Sequence, residues 1–496
     1  MKQIQYFQTG PKARELDSQS IQQYNIPSLI LMEQAAIESA KIIKQQISSH
    51  QKICVLCGPE NNGGDGLAIV RNLLKDDIQC DVYIPNIDKM SHDEQIQYHA
   101  LSYYSLTYID ETHNFDEYDV IIDCLFGNGL SRNITGVYKK IINKVNQSNA
   151  YVISIDLPSG IEATTGKKLG CAIKANLTIA LDCFKEGHFI NDGYIYSGKC
   201  VCVDIGIPHS LHTQYIINEA LVTKLLPQRN DNSHKGTFKK ALMIGGSLSM
   251  QGALCLSAKA CYRSGIGTLT VMIPDVIYPV IAGKMDFAMT ICRNSLNGYF
   301  SNAQDMELEP YQIIAIGNGM GRNKTTIEMV HKILETDKPV ILDADALWAI
   351  QNHEEWLNRN APTILLPHIK EMTYLTSYSV SQILEDPFRI IKEFSNVHKN
   401  CITLLKSNIS IVGYQDELYV LNQANSALAK GGSGDILCGI VTGLCGQTNN
   451  YISAVVSACY VHNQSANLDL DCASVMPDDC INNISNVLMT LRKKVL

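Results

Sequence analysis

Apolar positions along the chain fall into two alternating patterns. Short, almost wholly apolar runs such as "KICVLC" (52–57), "CDVYIP" (80–85), "YDVIIDCLFG" (118–127), "YVISIDLPSG" (151–160), "NLTIALDCF" (176–184) and "KCVCVDIGIP" (199–208) end near Asp, Pro or Gly. Between them lie stretches with helical spacing, of which "SQSIQQYNIPSLILMEQAAIESAKIIKQQI" (18–47) and "GLAIVRNLLKDD" (66–77) are the clearest. Strands covered on both faces lose their polar alternation, so this rhythm predicts a parallel sheet wound with helices.

The rhythm restarts once. After "DIGIPHS" comes the polar "LLPQRNDNSHKGTFKK" (225–240) and then a fresh strand-turn-helix pattern, "ALMIGGSLSMQGALCLSAKACYRSGIG" (241–267). The series continues through "LTVMIP", "QIIAIGNGMG", "PVILDADAL", "PTILLPH", "CITLLKS", "ISIVG" and "ELYVL" to a long helix opened by "GGSGDILCGIVTGLCG". A boundary between residues 214 and 220 is expected, giving α/β domains over 1–214 and 220–496. Length agrees, since 496 residues exceed what one hydrophobic core organises.

Composition narrows the class. A net charge of −8, spread along the chain, lacks the clustered Lys and Arg of a nucleic-acid binder. The 17 cysteines sit mostly inside apolar runs, where a reduced thiol behaves as a small hydrophobe, and none is grouped with His at zinc spacing. The first twenty residues carry no apolar leader core, and no run is long enough to cross a bilayer. A soluble, cytoplasmic protein is expected.

Candidate chemistry lies in glycine-bearing loops at strand ends, where open α/β sheets bind ligands. "GPENNGGDG" (58–66) follows a strand, and consecutive glycines let a backbone approach a ligand closely. "DCLFGNGLSRNITG" brings Asp123, Gly127, Asn128, Gly129 and Arg132, and "SIDLPSG" brings Asp156 and Ser159. Each alone could be a structural turn; together at one sheet edge they predict a shared pocket. Oxygen donors such as Asn62, Asp123 and Ser159 suit a hard cation rather than zinc or iron. In the second half, "KGGSGD" (430–435) precedes an apolar helix, an arrangement that makes an anion hole with Asp435 placed to take a proton from an attacking hydroxyl. His368 and Lys406 each follow a strand, and either alone reads as readily as a structural histidine or a surface charge.

In this order the motifs resemble the bifunctional NAD(P)H-hydrate repair family, an epimerase domain fused to an ADP- or ATP-dependent dehydratase domain. The resemblance runs from "ARELDSQSIQQYNIPSLILMEQAA" through "NNGGDG", "DCLFGNGLSR" and "DLPSG" to "SHKGTFKKALMIGGS", "GNGMG", "LLPHIKEM" and "KGGSGDILCGI". It implies a Rossmann-like first domain and a ribokinase-like second one. It also implies that Asn61, Asn62, Gly63, Gly64 and Asp65, with Gly127, Asn128, Gly129, Leu130, Ser131, Arg132 and Asp156, bind the hydrated dinucleotide. Asn62, Asp123 and Ser159 would hold K+. Ala253, Gly319, His368 and Asp435 would contact the hydrate in the second domain, while Lys406, Ser407, Asn408, Ile409, Ser410 and Gly434 would hold ADP or ATP with Mg2+. Asp435 and Asp156 would be catalytic, with Asp65 the second choice in the epimerase. The chain departs from the family's usual residues at Asn318 (proline), Ile369 and Lys370 (proline and glycine) and Ser407 (glycine).

The reaction so implied is repair: the R and S hydrates interconvert, and the S form is phosphorylated and dehydrated to NADH or NADPH. Small-molecule substrates are expected, with neither nucleic acid nor membrane as partner, and an assembly of identical subunits. Two alternatives remain open here: a ribokinase-type small-molecule kinase with an N-terminal dinucleotide-binding module, and a first domain that only binds.

Overall fold

The structure, a computed structural model, describes residues 3–48 and 50–494. Two compact units divide the chain, Gln5–Gln214 and one built on the residues from Tyr215 onward.

In the first unit seven strands form a parallel sheet: β1 (Ile53–Cys57), β2 (Asp81–Tyr83), β3 (Thr107–Ile109), β4 (Val120–Cys124), β5 (Tyr151–Ile155), β6 (Leu177–Leu181) and β7 (Lys199–Val203). Their order across the sheet is β3-β2-β1-β4-β5-β6-β7. The order reverses between β1 and β4, and the crevice beyond the carboxyl ends of strands at such a switch point is where doubly wound sheets bind ligands. Cys54 and Cys57 on β1 stand at Cys-x-x-Cys spacing, yet they belong to apolar clusters on opposite faces of the sheet. The pleat therefore parts the two thiols.

Two elements differ from the sequence pattern. The helical stretch over 18–47 is two helices, Gly10–Gln23 and Ser28–Lys44, parted where Asn25 adopts φ 54° and Pro27 brings no N–H. The helix after β1 begins at Asn61 rather than Gly66, so "NNGGDG" is its first turns and only Gly58 to Glu60 form the loop. Close packing explains glycine there: a Cβ on Gly63 would lie 1.8 Å from the Gly58 carbonyl oxygen, and one on Gly64 2.5 Å from Cε of Met32.

The second unit holds a ten-stranded sheet made of β8 (Gln214–Ile216), β9 (Lys240–Ile244), β10 (Thr268–Pro274), β11 (Met289–Arg293), β12 (Ile313–Ile316), β13 (Val340–Leu342), β14 (Thr363–Leu365), β15 (Cys401–Leu405), β16 (Ser410–Tyr414) and β17 (Glu417–Leu421). Across the sheet they run β8-β17-β16-β15-β14-β13-β12-β9-β10-β11. From β15 to β11 the neighbours are parallel; β15–β16 and β16–β17 are antiparallel.

The small-residue helix Gln251–Arg263 packs against helix Ser433–Cys445, where a Cβ on Gly439 would come within 2.1 Å of the Ser257 carbonyl oxygen. That close approach seats the two helices directly against one another. Among the described residues no helix is long and apolar enough to cross a membrane.

Candidate functional site

Beyond the carboxyl ends of β1, β4, β5 and β6 the first unit encloses a cavity of about 780 Å3, ample for a small-molecule ligand. Helix Gly10–Gln23 contributes Arg14 and Asp17, and the start of helix Asn61–Leu74 contributes Asn61, Asn62 and Asp65. The loop after β4 adds Gly127, Asn128, Gly129, Leu130, Ser131 and Arg132, and Asp156, Asp182 and Lys185 complete the wall. Arg14 donates to the Asn128 carbonyl at 2.6 Å, tying the first helix to that loop.

Asp156 adopts φ 67°, a backbone region that non-glycine residues rarely occupy unless their surroundings enforce it. The enforcement is visible. Its N–H donates to the Ile179 carbonyl at 2.8 Å, and its carbonyl accepts from Nε2 of His188 at 2.9 Å. Nδ1 of His188 accepts the Lys185 N–H at 2.9 Å, which leaves the ring proton on Nε2. Burial, then the charge of Lys185, pushes His188 down to about 4, so the ring stays neutral in this role.

The Asp156 side chain is equally constrained. Oδ1 receives Nζ of Lys185 at 2.5 Å, and Oδ2 receives the Asn128 N–H at 3.0 Å. Nζ spends its other hydrogens on the carbonyls of Leu181 and Cys183 at 3.0 and 3.1 Å. Burial alone would depress the lysine, but the Asp156 carboxylate outweighs it and holds the ammonium above its ordinary range.

Neighbouring acids behave differently. Burial, opposed by Lys185 and reinforced by Asp182 and Asp156, pushes Asp17 up to about 7. Asp65 is raised well above the carboxyl range by burial, then by Asp156 and Asp17. The cavity thus presents an ion-paired carboxylate beside carboxyls whose burial favours the protonated form, an arrangement suited to moving a proton on and off a ligand.

Behind this wall, Asp123 is fully buried. Its Oδ1 accepts from the Ser159 hydroxyl at 2.6 Å and the Leu125 N–H at 3.2 Å; Oδ2 accepts from the Ser154 hydroxyl at 2.8 Å and the Ser159 N–H at 2.9 Å. Burial raises Asp123 although the Ser159 bonds oppose it. The Ser159 hydroxyl also accepts the Phe126 N–H at 2.8 Å. At the next residue, a Cβ on Gly127 would stand 3.2 Å from Cγ of Asn62 and 3.1 Å from Oδ2 of Asp156. The Asn62 amide is buried with neither oxygen nor nitrogen hydrogen-bonded. An orphaned amide oxygen that shares the Gly127 surface with the Asp156 carboxylate is an oxygen donor of the kind a hard cation takes.

The second unit gathers its polar residues at the carboxyl ends of β12, β13, β14 and β15. Gly432, at φ 90°, precedes helix Ser433–Cys445, whose first-turn N–H groups lack intrahelical partners. A Cβ on Gly431 would meet nothing within 4 Å, and one on Gly434 only Nζ of Lys406 at 3.6 Å, so the helix mouth is open to an anion. Asp435 follows in the same turn. Burial pushes its carboxyl up to about 6, against an opposing hydrogen bond from Asn318.

Asn318, after β12, donates to Oδ1 of Asp435 at 2.7 Å and to Oδ2 of Asp343 at 3.2 Å. Asp343, after β13, pairs with Nζ of Lys406 at 2.7 Å, and that ammonium lies 3.8 Å from Glu371. Burial would lower Lys406, but Asp343 and Glu371 raise it. His368 caps helix Ile369–Leu375, its Nδ1 accepting the Glu371 N–H at 3.1 Å.

The sequence-predicted residues therefore separate by placement. Asn61, Asn62, Asp65, the Gly127–Arg132 loop and Asp156 line one cavity, whereas Gly63 and Gly64 are packing glycines that do not line it. Asp435, Lys406 and Gly434 meet at the helix mouth; Gly319, at φ 69°, packs on Ala253. Within the 406–410 stretch Asn408 is exposed, but Lys406 turns inward to Asp343 and the Ile409 side chain is buried. Sequence reasoning missed Asp17, Lys185 and the bridging role of Asn318. A lone acid on an amphipathic helix, a lysine in "DCFKEGH" and a departure from proline were the signals available.

Comparison with known proteins adds to this geometry. Residues 241–486 match the family described as NAD(P)H-hydrate dehydratase, and residues 28–187 that described as YjeF-related protein N-terminus. The chain is 30% identical over 467 residues to the bifunctional NAD(P)H-hydrate repair enzyme Nnr of Coxiella burnetii, covering 91% of this chain and 92% of that one. The ADP/ATP-dependent NAD(P)H-hydrate dehydratase of Bacillus subtilis, crystallised with ATP and Mg2+, superposes with a TM-score of 0.50 at 29% identity, over 56% of this chain and 98% of that one. A ribokinase-like protein of Enterococcus faecalis shares the fold at a TM-score of 0.50 and 20% identity, over 56% of this chain and 96% of that one.

Proposed function

This chain belongs to the family of bifunctional NAD(P)H-hydrate repair enzymes, and on that premise we propose which of its residues carry the two reactions. It restores NADH and NADPH from their hydrates through an epimerase half and an ADP- or ATP-dependent dehydratase half.

In the dehydratase half Asp435 is the base. The hydrate bears a hydroxyl on a saturated ring carbon, and hydroxide leaves poorly at neutral pH. Asp435 takes the hydroxyl proton as the oxygen attacks the terminal phosphorus of the nucleotide, the bridging P–O bond to that phosphorus breaks and ADP leaves (AMP where ADP is the donor), and the N–H groups at Gly431 to Gly434 stabilise the charge in transit. The phosphate so attached departs as the ring nitrogen's lone pair forms an iminium; loss of a proton from the adjacent carbon restores the dihydronicotinamide. His368, Gly319 and Ala253 are the proposed hydrate contacts, and Lys406, Ser407, Asn408 and Gly434 the nucleotide contacts. Mg2+ keeps waters and phosphate oxygens as ligands and would be held here chiefly by the nucleotide's phosphates, leaving Asp435 free as the base. When bound, that ion neutralises phosphate charge.

In the epimerase half Asp156 and Asp17 divide the proton work. Asp17 protonates the leaving hydroxyl, the ring nitrogen forms the iminium, and the water that adds to the opposite face gives its proton to Asp156. Lys185 and His188 hold Asp156 in place. Asn62, Asp123 and Ser159 fit K+, whose charge would support the bound dinucleotide.

The observation that carries the reading is Asp435 in the first turn of a helix whose mouth is open and lined with glycine. The test is to supply separated R and S hydrates of NADH with ATP and to follow NADH and inorganic phosphate. Both should appear in equal amounts from both epimers; a stable phosphorylated product without NADH would mark a small-molecule kinase instead.

A further inference from the structure

Two carboxylates in the second unit share one amide. The Nδ2 of Asn318 has two hydrogens and spends one on Asp435 at 2.7 Å and the other on Asp343 at 3.2 Å. Turning the amide over would aim its oxygen at both carboxylates, so a single orientation is allowed. The backbone is fixed as well: the Asn318 carbonyl accepts the Gly246 N–H at 2.8 Å, and a Cβ on Gly245 would come within 2.5 Å of that same oxygen. Asp343 is anchored in turn by Lys406 at 2.7 Å and by the Ala344 N–H at 2.9 Å. Only 2% of Asn318 is exposed, so water cannot replace these bonds.

We propose that Asn318 is a positioning residue of the dehydratase, orienting the Asp435 carboxylate toward the substrate hydroxyl by tying it to the Asp343–Lys406 ion pair. This rests on the reading of Asp435 as the base. The Asn318 amide comes from the end of β12, so the base carries a hydrogen bond that its own helix does not supply. A hydrogen bond donated to a carboxylate favours its charged form. The base therefore stays available at lower pH than burial alone would allow.

The experiment measures dehydratase kcat/KM against pH for the full chain with the S hydrate and ATP. In Asn318→Ala the acid limb should move up by about one pH unit, with the rate recovering to within a few-fold of the parent well above the limb and KM for ATP unchanged. Asn318→Asp preserves the shape if the alanine variant folds poorly, and by adding a third carboxylate it should move the limb further up. A limb that stays in place in both folded variants, or a rate lowered equally at every pH, overturns the proposal. Asp435→Ala separates the two levels: if it retains dehydration, the base assignment itself fails, whereas an inactive Asp435→Ala beside an unmoved limb sinks only the role of Asn318.

Discussion

Nζ of Lys185 stands 2.5 Å from Oδ1 of Asp156, and the two side chains are only 4% and 10% exposed. Removing one partner of a buried pair strands the other charge, at a cost of about 3 to 5 kcal/mol. Lys185→Met should therefore lower the melting temperature of the first unit and abolish epimer exchange. Asp156→Asn strands the buried Lys185 ammonium in the same way, so it too should lower the melting temperature of the first unit, and it should abolish exchange. Given an equilibrated hydrate mixture and ATP, the asparagine variant should convert only the S portion to NADH at the normal rate. Conversion of both epimers at the parental rate would remove Asp156 from the mechanism.

Asp17 makes a prediction in pH. Its carboxyl, pushed up to about 7 by burial, is protonated below that value and charged above it. A proton donor of this kind makes epimerase kcat fall as pH rises through about 7. Asp17→Asn cannot donate, so its rate should be low and lack that alkaline limb. An unchanged limb in the variant would assign it to another group.

The strands and their order of appearance were legible because parallel strands covered on both faces are almost continuously apolar, as β1 is throughout and as β4 and β6 are apart from Asp123 and Thr178. Helix starts were less so. Asn61 to Gly66 carry loop-forming residues, yet they are helical because Gly63 and Gly64 let that turn pass against Gly58 and Met32, a tertiary demand that local preference does not encode. Lys185 escaped notice for a related reason. It reaches Asp156 only because Phe184 and Lys185 pair in parallel with Phe7 and Gln8, and no spacing in the sequence records that pairing.

Asn62 tests the cation. Its unpartnered buried amide gives the first unit a reason to bind K+, and ligand bound to the native state alone raises stability by mass action. KCl should raise the melting temperature of the first unit above that in NaCl at equal ionic strength, and epimerase activity should follow. Asn62→Leu fills the site without an oxygen donor and should erase the difference between the salts, leaving dehydration unchanged. A potassium effect that survives in this variant would place the ion elsewhere.

Two glycines in similar sequence settings should respond in opposite ways. A Cβ on Gly63 would sit 1.8 Å from the backbone oxygen of Gly58, and a backbone atom cannot swing aside as a side-chain tip can. Overpacking of this kind costs about 1 to 3 kcal/mol or more. Gly63→Ala should therefore unfold the first unit at lower temperature and lose epimerase activity with it, while dehydration persists. A Cβ on Gly434 meets only the end of the Lys406 side chain, at 3.6 Å, so Gly434→Ala should melt like the parent. The methyl group would nevertheless project where the nucleotide phosphates approach, and misplacing a reacting group by about 1 Å can cost roughly 100-fold. Dehydratase activity should drop steeply with thermal stability intact; loss of stability in step with activity would mean that Gly434 serves packing, as Gly63 does.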